Sequence, residues 1–246
     1  MDAWIDFARG PLFRLSFSIM VLGLLRLLWL TAVGILEAYL RSSDRVLAYR
    51  EIARQTLEWA FPIRRVGRAR PFYSTASVLF HAGLVLVPVL LHAHVLLWRR
   101  AIGFGWPVLP ELAADGLTLL MLAAAAGLFV GRLADRRSRS ISQPQDYVWP
   151  LLLAVPFATG YACANLVLQP WGYQVTLLLH VLSANTVMFL LPFTKIAHCV
   201  LQPLSQVVTA VSWKFVPGAG DQVAATLGYA NRPSWVEKPR VGGSQS

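Results

Sequence analysis

The stretch HVLSANTVMFLLPFTKIAH, residues 180–198, closes an apolar run with a histidine at each end. An α-helix turns about 100° per residue, so the eighteen steps from His180 to His198 make five whole turns. The spacing predicts that both imidazoles lie on one face of one helix. A second apolar run, residues 74–98, carries His81, His92 and His94, which complete the five histidines of the chain. Two hydrophobic segments therefore hold every imidazole.

The composition is that of an integral membrane protein. Of the 246 residues, 56% are hydrophobic and only 14% are charged, whereas soluble domains carry about 25% charged residues. The two cysteines, Cys163 and Cys199, both lie in apolar runs, which implies no disulfide framework. The sequence contains no Cys-x-x-Cys-His motif, so a c-type haem is excluded.

Five apolar stretches approach or exceed the roughly twenty residues that cross the hydrocarbon core of a bilayer. They are residues 15–38, 74–98, 112–130, 147–168 and 173–201. We expect an all-α membrane domain over residues 1–205, followed by an extended cytoplasmic tail, residues 206–246, that contacts a partner. Pro150 and Pro156 predict kinks in the fourth span.

Basic residues predict the orientation of the spans. Residues 41–70 hold eight arginines, and the segment between spans three and four holds four more. The loops that alternate with these segments carry few basic residues. The positive-inside rule therefore predicts an N-terminus outside and a C-terminus in the cytoplasm, in the inner membrane of the cell. The net charge of +10 then indicates anionic lipid as a partner, and no nucleic acid.

Residues 45–61, between spans one and two, have the pattern of an amphipathic helix. The apolar side chains fall near one stripe, and the arginines lie largely off it. Such a helix either lies in the headgroup layer of the inner leaflet or provides a binding surface for a cytoplasmic partner. The sequence leaves both interpretations open.

The histidine spacings predict two pairs of facing imidazoles. Eleven steps separate His81 from His92, so in a continuous helix their side chains would point in directions only about 20° apart. His94, two residues later, would point about 140° away from His81. Spans two and five run antiparallel, so His81 pairs with His198 on the inner side and His92 pairs with His180 on the outer side. Pro88 lies between His81 and His92, so the face calculation is approximate and His94 stays open as a substitute for His92.

Pairs of histidines from facing helices are how a helical bundle holds b-type haem, so the sequence predicts a five-helix bundle with two haems b. Two alternatives stay open. One is a one-haem or purely structural anchor whose other histidines are only hydrogen-bonded. The other is a histidine-lined metal or proton transporter, although a zinc or manganese transporter would normally add acids and neither histidine-bearing span contains Asp or Glu.

Phe80-His81-Ala82-Gly83, together with His180 and the stretch LLPFTKIAH at residues 190–198, resembles a known family. It is similar to the membrane cytochrome b (gamma) subunit of respiratory nitrate reductases, in a group that includes membrane anchors of hydrogenases and of heterodisulfide-reductase-like complexes. The resemblance covers about residues 10–205. It implies an inner haem on His81 and His198, and an outer haem on His92 and His180.

The same resemblance implies quinone chemistry near the outer haem and electron exchange with an iron–sulfur subunit at the inner face. The chain would be an electron-transfer subunit of a multi-subunit oxidoreductase, with substrate chemistry on a separate catalytic subunit. The reaction could involve nitrate, hydrogen or a disulfide.

Five further residues are candidates for this chemistry. Asp115 either accepts a proton as quinol is oxidised or only favours a helix N-terminus. Arg99, with its neighbour Trp98, either contacts the quinone or a haem propionate or anchors a helix end in the membrane interface. Arg26 lies mid-span, where it contacts a propionate or has a structural role. Lys195 either reaches a propionate of the inner haem or extends to water.

Overall fold

The computed structural model describes residues 1–41, 49–60, 70–168 and 172–211, and positions 225, 226 and 228. Within these ranges the secondary structure consists of helices, without a strand. The α-helices in chain order are α1 (Asp2–Phe7), α2 (Phe13–Arg41), α3 (Tyr49–Ala60), α4 (Pro71–Leu90), α5 (His92–Ile102), α6 (Glu111–Ala134), α7 (Arg136–Ser140), α8 (Pro144–Ala164), α9 (Tyr173–Leu190) and α10 (His198–Val211). A π-helical turn, Ala8–Leu12, joins α1 to α2.

Five helical stretches are long and apolar enough to cross a membrane. They are Asp2–Leu40, Pro71–Leu90, Glu111–Ala134, Pro144–Ala164 and Tyr173–Phe193. The predictions of an all-helical fold, over the described residues, and of five helices that could span a membrane are confirmed. The many large apolar side chains on the surface of the described helices fit a multi-pass membrane protein, because lipid rather than water would cover them.

The second predicted span is not one helix. Helix α4 ends at Leu90, and Leu91 is extended, with φ −69° and ψ 131°, before α5 starts at His92. The prediction of a helix that runs continuously through residues 74–98 is wrong. Pro88 lacks the N–H that an α-helix needs, which weakens the last turn of α4. By contrast, α8 continues as a helix through Pro150 and Pro156.

The fifth predicted span is also interrupted. Helix α9 gives way to two 3₁₀ turns, Leu191–Phe193 and Lys195–Ala197, before α10 begins. Thr194, between the turns, is extended, with φ −132° and ψ 177°. The helical count of five turns from His180 to His198 is therefore wrong, because the chain between them is not a single α-helix. Pro192 has no N–H to donate to the preceding turn, which weakens the helix at this point.

The chain divides into two compact units. The first comprises Met1–Gly23 and Pro62–Ala197, and the second comprises Leu24–Phe61 and His198–Ser246. The predicted domain boundary after residue 205 falls inside α10, which continues to Val211. Most of the predicted extended tail lies outside the described residues.

Close packing in the first unit joins α4 to α6, α6 to α8 and α8 to α9. Its buried centre includes Phe80 of α4, Met121 of α6 and Phe157 of α8. A Cβ atom on Gly83 would lie 2.5 Å from the Cβ of Met121, so a glycine is required for α4 to approach α6 this closely. This packing holds α9, which carries His180, against α8.

The second unit pairs α3 with α10. The amphipathic helix predicted over residues 45–61 is confirmed between Tyr49 and Ala60. Arg54 bridges Glu51 and Glu58, with N–O distances of 2.6 Å to each, and its hydrogen bond lowers the pKa of Glu51 to about 2. The charges of these three side chains are therefore largely satisfied along the helix itself.

Candidate functional site

Two imidazoles face each other in the first unit. The ring centres of His94, on α5, and His180, on α9, are 6.1 Å apart, and the ring planes differ by only 12°. Both side chains are half-buried. The structure therefore brings His180 together with His94, the substitute ligand, and not with His92.

Each of the two rings is oriented by a backbone carbonyl. The Nδ1 atom of His94 lies 3.0 Å from the carbonyl oxygen of Pro88, and that of His180 lies 2.8 Å from the carbonyl oxygen of Pro156. A carbonyl oxygen can only accept a hydrogen bond, so Nδ1 is the protonated nitrogen in both rings. The neutral rings therefore carry their lone pairs on Nε2.

Neither of these Nε2 atoms has a hydrogen-bond partner among the residues that the structure describes. An imidazole whose Nδ1–H donates to a carbonyl and whose Nε2 is unoccupied has the arrangement of a metal ligand. Within the described ranges, no three His, Cys, Asp or Glu side chains are grouped so that they could share a metal ion. Haem is a group that two histidines alone can hold, because the porphyrin supplies the other ligands of the iron.

The spacing of the two rings also fits haem. A metal–imidazole bond is about 2 Å long, and the ring centre lies about 1 Å behind the nitrogen, so two axial histidines place their ring centres roughly 6 Å apart. The observed separation is 6.1 Å.

The helix break at Leu91 orients the side chain of His94. The last four carbonyl groups of a helix lack partners within it, and here each one is satisfied. The carbonyl of Val87 accepts from the N–H of Leu91, that of Pro88 from Nδ1 of His94, that of Val89 from Nε1 of Trp106 at 2.8 Å, and that of Leu90 from the N–H of Leu109 at 2.9 Å. The candidate ligand therefore belongs to the cap of α4, and the loop after α5 supplies two of the other three donors.

The prediction that His92 shares the outer site with His180 assumed a continuous helix through Pro88. With the break, His92 becomes the first residue of α5 and lies about 200° around that helix from His94. It lines a cavity on another side of α5. The spacing argument failed because the extended backbone of Leu91 resets the helical register.

Gly160 allows α8 to pass directly against the ring of His180. A Cβ atom at position 160 would lie 2.9 Å from Cε1 and 3.1 Å from Nδ1 of His180. Any larger residue would push the imidazole away from the Pro156 carbonyl. This role could not be read from the sequence, since Gly160 is one of several glycines in apolar helices.

The cavity beside α5 has a volume of about 420 Å³. Its walls are His92, Val95, Leu96, Arg99, Gly103, Gly105, Trp106 and Val108. Within the described part of the chain, neither the imidazole of His92 nor the guanidinium of Arg99 has a hydrogen bond or an ion pair. The cavity thus combines an apolar and aromatic wall with two available polar groups.

Two of the predicted quinone-site residues lie elsewhere. Asp115 accepts a hydrogen bond of 3.2 Å from Nδ2 of Asn165, and it is not part of the cavity wall. Trp98 packs edge-on against Phe17, with 5.3 Å between ring centres. Of the three predicted residues, Arg99 alone lines this cavity.

The residues of the predicted inner site belong to different units. His81 lies in α4 of the first unit, where its Nδ1 is 2.7 Å from the carbonyl oxygen of Ser77. His198 begins α10 in the second unit. The pairing of His81 with His198 therefore stays a prediction from the sequence.

The two predicted propionate ligands differ in their surroundings. Nζ of Lys195 lies 3.1 Å from both carboxylate oxygens of Asp146. Arg26 is an exposed residue of α2 with no hydrogen bond or ion pair among the described residues. A propionate contact for either residue stays a prediction.

Comparisons with known proteins place the chain in a family without assigning it an activity. No protein-family model matches the chain, and no solved structure matches it significantly. A curated protein of Nitratidesulfovibrio vulgaris strain Hildenborough, whose description reads only "Protein", is 30% identical over 208 residues. The alignment covers 79% of this chain and 87% of the relative. The chain therefore belongs to the same family as this Nitratidesulfovibrio protein.

Proposed function

We propose that the chain is a haem-binding membrane subunit that passes electrons between the quinone pool and an iron–sulfur subunit of an oxidoreductase complex. The observation that supports the proposal is the pair His94 and His180, whose ring centres are 6.1 Å apart and whose Nδ1 atoms each donate to a backbone carbonyl. On this proposal the chain lies in the cytoplasmic membrane with its N-terminus outside, and substrate chemistry belongs to another subunit.

His94 and His180 are the residues that would hold an outer haem b. Haem supplies reversible one-electron transfer when it is bound. The hydrogen bonds to the Pro88 and Pro156 carbonyls fix each imidazole in one tautomer. They also make Nε2 more basic, and therefore a stronger ligand for a metal ion. A second haem on His81 and His198 follows from the sequence, and a measured haem count tests it.

The cavity beside α5 is the best candidate for the quinone site. The guanidinium of Arg99 can donate to a quinone carbonyl, and the apolar and indole surfaces can hold its ring. Oxidation of a quinol releases two electrons and two protons, and His92 offers a nitrogen that can accept a proton. His92 and His94 belong to the same helix, so the cavity lies within about 10 Å of the candidate haem ligand, the diameter of a helix.

The haem content of three histidine variants tests the proposal. We expect His94→Ala and His180→Ala each to remove one haem per chain, because either change deletes an axial ligand. His92→Ala is the matched control, since it removes an imidazole two residues from His94 and should keep the haem. A pyridine haemochrome assay on purified protein gives the count.

Three results would contradict the proposal or restrict it. Equal haem loss in His92→Ala and His94→Ala would mean that the facing pair is not the site. One haem per wild-type chain would support the one-haem anchor instead of the two-haem bundle. A purified protein without haem would favour the histidine-lined transporter.

Quinone binding has a readout that does not depend on electron transfer. A soluble quinone should quench the fluorescence of Trp106, and Arg99→Gln should weaken this binding by about tenfold through the loss of a charged hydrogen bond. Arg100→Gln is the control, because Arg100 is adjacent but does not line the cavity. Equal affinities in the two variants would exclude this cavity as the quinone site.

A further inference from the structure

The guanidinium of Arg26 lies near the middle of α2, the helix Phe13–Arg41. The side chain is exposed, and it makes no hydrogen bond or ion pair with any residue that the structure describes. A charge at this depth of a membrane is costly without a partner, which points to an anion outside the described residues.

The acidic residues that the structure describes are badly placed to provide this anion. Glu37 follows Arg26 by eleven residues on the same helix, a rise of about 16 Å. The other acids in the spanning helices lie near helix ends: Asp2, Asp6, Glu111, Asp115 and Asp146. A second copy of this chain would therefore bring no mid-membrane carboxylate, and a symmetric dimer through α2 would set two arginines side by side.

An exposed stripe runs along α2 beside Arg26. Its members recur at intervals of three and four residues, the spacing of a helix–helix seam: Leu25, Trp29, Ala32, Leu36 and Leu40. Trp29 is 70% exposed and Leu25 is 54% exposed. Arg26 lies at the edge of this stripe, where a charged residue can reach a side chain of a packed helix.

We propose that this stripe of α2 binds a transmembrane helix of a different subunit, and that this helix presents an Asp or Glu carboxylate to Arg26. Charge complementarity selects the partner, because the apolar stripe alone would be equally well covered by lipid. The inference does not require haem, and it concerns a different helix from the His94–His180 site.

Photocrosslinking in the native membrane tests the proposal. A benzophenone amino acid replaces Trp29 in the full chain, with Arg26 intact, and the irradiated adduct is identified by mass spectrometry. The matched control places the same amino acid at Leu27, which is about 200° from position 29 around the helix. We expect the adduct at position 29 to lie on a transmembrane segment that contains Asp or Glu, with a yield about fivefold above that at position 27.

Two variants at position 26 test whether the positive charge of Arg26 contributes to this contact. Arg26→Leu should lower the adduct yield at position 29 by about fivefold, whereas Arg26→Lys should lower it less because it keeps the positive charge. Adducts only with lipid, with a second copy of the chain, or with a segment that lacks an acid would overturn the proposal. An unchanged adduct in Arg26→Leu, accompanied by a shifted haem spectrum, would also overturn it and assign Arg26 to a propionate.

Discussion

Two helix breaks interrupt the histidine-bearing segments, and they are built differently. At Leu91 the freed carbonyls of α4 accept from donors that include the His94 ring, the Trp106 indole and the N–H of Leu109. After Leu190 the chain tightens into 3₁₀ turns, and Oγ1 of Thr194 donates to the carbonyl of Leu190 at 3.1 Å. The first break depends on a distant loop, whereas the second is closed largely by its own residues.

The difference shows what a break can do for a site. The break at Leu91 redirects the chain so that His94, rather than His92, meets His180. The candidate ligand His94 is itself part of the cap of α4, because its Nδ1–H donates to the carbonyl of Pro88. A change that disturbs this cap should therefore alter both the free energy of unfolding and the orientation of the imidazole.

Gly160→Ala should have the largest effect among the variants that leave the histidines intact. The new Cβ would lie 2.9 Å from Cε1 of His180, in a site held by the Pro156 carbonyl, and overpacking of this kind costs about 2–3 kcal/mol. We expect lower haem content and a lower free energy of unfolding, measured by absorbance and by denaturation in mixed micelles. Gly127→Ala is the control, because a Cβ there has no neighbour within 4 Å. Equal effects of the two changes would show that the His180 ring does not lie against α8.

Trp106→Phe should have an intermediate effect. It keeps an aromatic ring but removes the N–H that donates to the Val89 carbonyl, which leaves that carbonyl unpaired at a cost of about 1–2 kcal/mol. The measurement is the free energy of unfolding, and Trp98→Phe is the control because its indole N–H has no such bond among the described residues. If the control destabilises the protein equally, the loop after α5 does not cap α4.

The number of spans and their helical structure could be predicted, because both depend on the length and hydrophobicity of the apolar stretches. The position of the helix break at Leu91 could not be predicted, because a proline alone does not determine where a helix ends. Helix α8 continues through Pro150 and Pro156, whereas α4 stops two residues after Pro88. What distinguishes α4 is a loop that returns to supply donors, and this contact is invisible in the local sequence.

Thr194→Val should have the smallest effect, about 0.5–1 kcal/mol, because the threonine hydroxyl provides one neutral hydrogen bond at the second break. Thr186→Val is the control, since the hydroxyl of Thr186 donates within an unbroken stretch of α9 to the carbonyl of Leu182. A larger loss of unfolding free energy for Thr186→Val would reverse the assignment of Thr194 as a cap.

The candidate site was partly predictable. His180 followed from its place in an apolar run, and His94 was named as a substitute ligand because Pro88 made the helical count uncertain. Gly160 and Trp106 could not be found, because their roles depend on contacts with residues 20 and 17 positions away. A helical count is reliable only where no backbone position leaves the helix between the residues compared.

Trp106 takes part in two sites at once. Its indole forms part of the cavity wall, and its N–H occupies the carbonyl adjacent to the one that orients His94. A molecule that enters the cavity therefore contacts the side chain whose N–H caps this end of α4. Because Nδ1 of His94 belongs to the same cap, the cavity wall and the orientation of that imidazole depend on two adjacent carbonyls, those of Pro88 and Val89.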